Sequence, residues 1–355
     1  DVAAHAEAAA HEVEQVALVL DLGQRTQQLA SVDAGHVLGE LARFTDTHVD
    51  PAIADWYADC GGGTEAVPRR DGLHDLAAAQ VHLRKNWRSQ ASPAVSRLAE
   101  AVQEHPFAVQ CCLAATELAP AAGVMATTGD GRRVTVAIER RDIVNPTRVL
   151  ARIVDDWQAW AAAIVASPTP TEALQVHSRR RLLCARRRDP LGAAWLNAGL
   201  EQALADAGLI HPWDDGHYPG RPLLITRNNY DLHLFNGDIG IVWGSHQQAR
   251  ACFPDADGRL RELPLHRLDA CEPVYAMSIH KSQGSQFEHV DILTASDDAH
   301  PGIRNLLTRE LIYTAITRAA YSVRIWANED LLLRSLERRT IRRTGLRRFL
   351  LGEQL

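Results

Sequence analysis

A chain of 355 residues is long enough for two or three domains with a sizeable buried core. Its composition, 46% hydrophobic and 23% charged, is that of a globular protein and excludes a disordered one. A net charge of −6 excludes a protein that coats nucleic acid over its whole surface, yet it allows local basic patches: residues 179–188 hold six arginines and residues 334–348 hold seven.

The first 15 residues are rich in Ala and Glu and predict a helix; no basic start precedes an apolar stretch, so they do not read as a secretory leader. The lack of an initiator Met reads as an internal start. No apolar run reaches the ~20 residues of a membrane-spanning helix. The six cysteines form no Cys-x-x-Cys pair, and reduced thiols in the cytoplasm are expected. Residues 16–22, bounded by Gly23, predict a buried strand, and 31–44 a helix. From 45 to 72 the pattern dissolves around Cys60-Gly61-Gly62-Gly63 and Pro68, as in a linker. A short strand over 80–83 leads through polar 84–89 into a helix that runs to about Glu104. Residues 134–139 predict a strand, 147–165 an amphipathic helix stopped by Ser167-Pro168-Thr169-Pro170, and 194–207 another helix. Between 216 and 268, short β-like runs (222–226, 239–243, 249–253) alternate with dense turn signals, which suggests a small β-barrel or a meander. Beyond it, apolar runs at 274–279, 290–294 and 323–327 alternate with helical segments, the signature of a parallel α/β sheet.

Lys85 and Lys281 are the two lysines, and neither follows a glycine. The sequence therefore holds no Gly-Lys-Ser/Thr loop to cradle phosphates, and no apolar strand ending in Asp-Glu to hold Mg²⁺. This chain alone is not expected to hydrolyse ATP. No cluster of Asp, Glu and Lys has the spacing of a two-metal nuclease. The strongest chemical signal is Tyr275-Ala276-Met277-Ser278-Ile279-His280-Lys281-Ser282-Gln283-Gly284-Ser285-Gln286-Phe287. Here an apolar strand runs directly into a polar, glycine-containing loop, and ligands of open α/β sheets bind outside the carboxyl ends of the strands. The second is Thr308-Arg309-Glu310-Leu311-Ile312-Tyr313-Thr314-Ala315-Ile316-Thr317-Arg318-Ala319. On a helix, Leu311, Thr314, Ala315 and Arg318 share one face, and such an arginine can project toward a nucleotide.

These two segments resemble motifs V and VI of superfamily-one helicases, with wording closest to RecD-type helicases. Leu83-Arg84-Lys85-Asn86-Trp87-Arg88-Ser89 resembles motif IV, and Gln28-Leu29-Ala30-Ser31-Val32-Asp33-Ala34-Gly35 resembles motif III. Tyr218-Pro219-Gly220-Arg221-Pro222 through Asn228, with Leu234-Phe235-Asn236-Gly237-Asp238, resembles the small barrel inserted in the second motor domain of that family; residues 339–346 resemble its C-terminal tail. The resemblance implies an α/β fold: a RecA-like, P-loop-NTPase-type parallel sheet with a small inserted β-barrel. Residues 1–72 would be the end of the first motor domain and a linker, 73–215 with 269–355 the second motor domain, and 216–268 the barrel. It further implies an ATP-dependent 5′→3′ DNA helicase subunit of an exonuclease V-like repair complex, using ATP and Mg²⁺. Its partners would be single-stranded DNA and DNA ends together with RecB-like and RecC-like subunits. Arg318 would be the arginine finger, Arg88 a second γ-phosphate contact and Gln28 the phosphate sensor. Gly284 and Gln286 would lie near the nucleotide, with Gly284 permitting close approach. Asn228, Asn236, His280, Lys281, Ser282, Gln283 and Thr317 would lie along the DNA strand. Trp87, Tyr313 and Phe287 could stack on bases, although core packing is the expectation for each. Two departures stand out. Gly23-Gln24-Arg25-Thr26-Gln27-Gln28-Leu29 lacks the Asp that the family carries and has one residue too many, so Gln27 and Gln28 compete for the sensor role. Gln286 stands where an acid often follows. The other reading is a catalytically inactive nucleic-acid-binding or subunit-docking remnant.

Overall fold

The structure, a computed structural model, describes residues 92–117, 124–127, 133–136, 138–141, 145–188, 190–255, 257–294 and 306–338, together with positions 51, 55 and 59. The expectations for Gln27, Gln28, Trp87, Arg88, the strands at 16–22 and 80–83 and the tail at 339–346 lie outside these residues. The chain divides into two units, Asp1–Trp87 with Arg339–Leu355, and Arg88–Arg338. Every helix and strand named below belongs to the second.

Local chemistry sets the helix starts. Helix α1, Pro93–Glu104, begins where the Ser92 side chain accepts the Val95 N–H and Pro93 fills the first turn; Val95, Leu98 and Val102 then line one buried face. Helix α2, Pro106–Glu117, follows at once. Strands β1 (Val124–Thr127) and β2 (Arg133–Val136) form an antiparallel pair, and β3 covers Ile138–Arg141. Helix α3, Pro146–Val165, starts at Asn145, whose Oδ1 accepts from Thr147 N at 2.9 Å; it buries Val149, Ile153, Trp157, Ala161 and Ile164 along one stripe. The Ser-Pro-Thr-Pro signal that stops it also starts helix α4, Pro170–Arg179, in which Thr169 caps the Glu172 N–H. Strand β4, Arg180–Cys184, follows α4 directly, and helix α5 covers Ala193–Asp206. The sequence reading missed α2, β1, α4 and β4.

Five strands then build a second sheet: β5 Pro222–Ile225, β6 Ile239–Trp243, β7 Arg250–Pro254, β8 Leu260–Pro264 and β9 Cys271–Pro273. All pairs in it are antiparallel, in the order β8-β7-β6-β5-β9. Among the described residues no pairing joins β8 to β9. In its hydrogen bonds the segment is a meander over β5–β8 whose chain then crosses back to set β9, beyond the expected limit at 268, against β5; it is neither a plain meander nor a closed barrel. Leu223, Ile225, Leu234, Val242 and Phe253 fill its own small core.

The chain then returns through β10 (Ala276–Ser278), a 3₁₀ turn (Ile279–Ser282), β11 (Phe287–Leu293), helix α6 (Arg309–Ile316), β12 (Ala319–Trp326) and helix α7 (Glu329–Glu337). The expected parallel sheet forms in the order β10-β4-β11-β12-β3, with every pair parallel. The single strand expected over 134–139 is two: β2 joins the antiparallel pair, while β3 forms the far edge of this sheet. The main core lies on one side of it, where α3 and α5 pack Trp157, Leu196 and Leu200 against Leu182, Tyr275 and Trp326. No described helix is long and apolar enough to cross a membrane.

Candidate nucleotide and single-strand site

Strand β10 lies at the sheet edge, so its outward backbone groups need a partner. Asn197 of α5 supplies it: its Nδ2 donates to Pro273 O at 2.7 Å and Ala276 O at 3.0 Å, and its Oδ1 accepts from Ala276 N at 2.7 Å. A second clamp sits beside it. The Tyr275 and Tyr218 hydroxyls meet at 2.8 Å, Tyr218 also donates to Glu201, and Arg221 holds Glu201 at 2.7 Å. Burial raises both phenols above their ordinary range, so they stay neutral donors.

With its strand clamped, the His280 turn has a defined shape. The Ser278 side chain accepts from Lys281 N, and the buried Ser282 hydroxyl donates to Ile279 O at 2.7 Å. Gly284 adopts φ +86, in the left-handed region, and a Cβ there would meet nothing within 4 Å. Backbone conformation, and not crowding within the chain, explains this glycine. Lys281 Nζ binds Glu272 at 2.8 Å, and Arg187, in the loop after β4, binds the other oxygen of the same carboxylate at 2.8 Å. Burial tends to raise the Glu272 carboxyl, but Lys281 and Arg187 outweigh it and hold it below its ordinary range. His280 and Gln283 are partly exposed in the same turn, and Gln286 is exposed just beyond it.

Arg318 differs from the expectation of a helical position. Helix α6 ends at Ile316, Thr317 caps it, and Arg318 occupies the turn before β12. Its side chain is buried. Nε donates to Thr314 O at 3.2 Å, Nη1 to Ser285 O at 3.0 Å and Nη2 to the Thr317 hydroxyl at 3.3 Å, while its own carbonyl accepts Phe287 N–H at 2.8 Å. It thus staples the end of α6 to the loop that carries Gly284 and Gln286. The junction lies at the amino ends of β11 and β12, so the carboxyl-end rule places His280–Ser282 but not Arg318. Tyr313 and Phe287, considered for base stacking, are buried.

Asn228 and Asn236 sit apart from this cluster, at the end of β5. Asn228 Oδ1 accepts from Asn236 N at 2.8 Å, and its Nδ2 donates to the Tyr230 hydroxyl at 3.3 Å. Asn228 therefore shapes this loop.

Two buried polar groups escaped the sequence reading. Asp291 of β11 accepts from Arg180 on one neighbouring strand, Arg324 on the other, and the indole N–H groups of Trp157 and Trp326. Arg181 is fully buried, with its guanidinium 4.9 Å from the Phe287 ring, against His177 and donating to Val274 O. Its Nε has no acceptor among the described residues. The partners of Asp291, and Val274 and Phe287 beside Arg181, are distant in sequence, so no short-range pattern announces these sites.

Residues 273–325, which carry β10, the His280 turn and α6, match the UvrD-like helicase C-terminal domain. The chain is also similar to RecD subunits: it is 41% identical over 187 residues to the RecBCD enzyme subunit RecD of Mycobacterium tuberculosis, covering 53% of this chain and 31% of that protein. The same subunit from Haemophilus influenzae is 29% identical over 333 residues, 91% of this chain and 49% of that protein. The ATP-dependent RecD2 DNA helicase of Deinococcus radiodurans is 35% identical over 141 residues, 39% of this chain and 19% of that one. Against these RecD subunits the chain thus spans about a third to a half of their length. Among solved structures, Bacteroides Pif1 bound to ssDNA overlaps 58% of this chain and 53% of its own at 15% identity and a TM-score of 0.30, too slight an overlap to build on.

Proposed function

We propose that the chain is the C-terminal portion of an ATP-dependent 5′→3′ DNA helicase subunit that acts in double-strand-break repair within a RecBCD-like exonuclease V. The observation that carries this reading is the Arg318 staple, which joins the two helicase-like segments inside a region homologous to RecD. In this reading residues 73–215 and 269–355 form the second motor domain, 216–268 its insertion and 1–72 the end of the first. ATP and Mg²⁺ are held mainly by a preceding domain. Arg318, with Arg88 and Gln28, senses the γ-phosphate, and an arginine so placed stabilises charge on the transferred group. To reach a phosphate, Arg318 exchanges its bonds to Ser285 O and Thr314 O for phosphate oxygens, and that exchange frees the Gly284–Gln286 loop. Lys281, His280, Gln283 and Thr317 track the strand backbone on the same turn and helix end, while Ser282, its buried hydroxyl bound to Ile279 O, shapes the turn that presents them; this links nucleotide state to grip on DNA. The protein acts in the cytoplasm with RecB-like and RecC-like subunits.

The test is Arg318→Ala in the native gene product assembled with its partner subunits. DNA-stimulated ATP hydrolysis is expected to fall at least ~10³-fold, with single-strand affinity almost unchanged. Unchanged turnover removes Arg318 from the role. A second reading, a non-hydrolysing module that binds DNA or docks a subunit, is favoured by the lack of a Gly-Lys-Ser/Thr loop in these 355 residues. A native gene product that binds single strands but neither binds nor hydrolyses ATP would establish it.

A further inference from the structure

Tyr230 is 70% exposed and Phe235 is 47% exposed, whereas the other aromatic rings considered for stacking are buried or lie outside the described residues. The two rings meet edge to face, with centroids 6.2 Å apart at 79°. Exposed rings of this size are unfavourable in water unless something covers them. Their position is fixed and not incidental. Asn229 and Leu234 exchange both backbone hydrogen bonds, at 2.7 and 2.9 Å, across the intervening turn. Asn229 Oδ1 also accepts from Leu232 N, Asp238 accepts from Phe235 N, and Asn228 bridges Asn236 N to the Tyr230 hydroxyl. His233 takes φ +49 to close the turn, a conformation that a side chain other than glycine adopts at some strain. Such a framework holds two rings out to solvent at little ordering entropy.

We infer that Tyr230 and Phe235 form a stacking platform for unpaired nucleobases. The inference rests on the single-strand reading above and assigns to that function two residues that it does not otherwise use. Three observations favour a base over a protein surface. The patch is two rings wide, the size of a base and far short of the ~800 Å² per partner of a stable protein interface. Around it stand donors suited to a nucleic acid strand: among the described residues the exposed Arg227 guanidinium and the exposed side-chain amide of Asn236 have no hydrogen-bond partner. The loop that carries the rings also walls a hollow of about 270 Å³, lined by Arg227, Asn228, Leu232 and Leu234 together with Asp269. The platform also lies along the chain from the strand pair whose Glu272 binds Lys281. Leu224 of β5 pairs with Glu272, the partner of Lys281, and Arg227 lies three residues further along the chain.

The test is fluorescence anisotropy of the 355-residue chain with labelled oligothymidylate and with an abasic tract of equal length. Both rings are exposed, so Tyr230→Leu and Phe235→Leu should fold normally, which a thermal melt checks. Each is expected to weaken oligothymidylate binding by about 5- to 150-fold while leaving the abasic tract unaffected. Tyr230→Phe should retain most of the affinity, because the ring and not the hydroxyl stacks. If the double leucine variant binds oligothymidylate as the parent does, the platform is overturned and the single-strand reading stands. Equal losses on the two tracts also overturn it, because the rings would then serve the backbone or the fold. If the parent chain binds no oligonucleotide even at low salt, the single-strand reading itself fails and the platform falls with it.

Discussion

Arg181 carries a cation into the sheet interior with no carboxylate to meet it among the described residues. Its compensation is the Phe287 ring face, Val274 O and the His177 ring. A buried charge without a counter-ion is strongly disfavoured, and a well-packed apolar side chain of similar length avoids that desolvation. Arg181→Met is therefore expected to stabilise the fold by about 1–4 kcal/mol, read as a rise in the urea midpoint at unchanged slope. Val274 O keeps a partner in the variant, because His177 Nε2 lies 3.0 Å from it. The same neighbourhood fixes an acid response. Burial first, and then the charge of Arg181, push His177 well below 6.5. As the pH falls through about 6.5, the unfolded chain takes up a proton that the folded chain refuses, so stability present above that value is lost below it. The loss approaches ~1.4 kcal/mol per pH unit for one such histidine. Burial and Arg221 lower His217 as well, and it adds in the same direction. His177→Leu should flatten the fall in urea midpoint between pH about 6.5 and about 5; an unchanged slope would assign the acid response elsewhere.

At the scale of elements, the short edge strand β10 has its shape imposed by a helix residue. Asn197→Ala leaves the Ala276 N–H without its acceptor and should destabilise the fold by about 1–3 kcal/mol. Amide exchange at Ala276 should accelerate more than at Leu182 in the interior of β4; equal acceleration would mean that Asn197 supports the whole sheet and not its edge. Gly284→Ala forces a side chain into the left-handed region and should destabilise the His280 turn by about 1–2 kcal/mol, although space is free for the methyl group. These elements also show what sequence can carry. The run 239–243 became β6 with identical limits, and the helix expected over 147–165 became α3 with its end at Val165, because β-branched runs and helix-stop signals act over a few positions. Strand β4 stayed hidden because its arginines find their partners far along the chain: Arg180 meets Asp291 and Arg181 meets Val274. Arg318 was legible as a residue type, but its place in a turn was not, because the stop at Ile316 is set by the pairing of β12 with β11. Asn228 was legible as a polar loop residue. Its work on Tyr230 depends on a fold-back that no local pattern encodes.

Over the whole molecule, a net charge of −6 means that affinity for a nucleic acid strand has to come from places where cations are gathered and released. Glu272 gathers two of them, Lys281 and Arg187, and neutralises part of their charge. Under the proposed reading, Glu272→Gln should raise single-strand affinity a few-fold and steepen its salt dependence by ~0.7 in log–log slope for each phosphate newly engaged. A lower affinity would show instead that Glu272 positions Lys281 for the strand. The same ion pair has a consequence for chemical labelling. Lys281 is one of two lysines in the sequence, and its amine is bound by a carboxylate at 2.8 Å. An acylating reagent consequently finds few targets, and the yield on the peptide containing Lys281, read by mass spectrometry, becomes a single-site gauge of this turn. The yield should be low in the parent protein and higher in Glu272→Gln. It should fall again when an oligonucleotide covers the amine, so that one mass shift reports occupancy without any engineered probe.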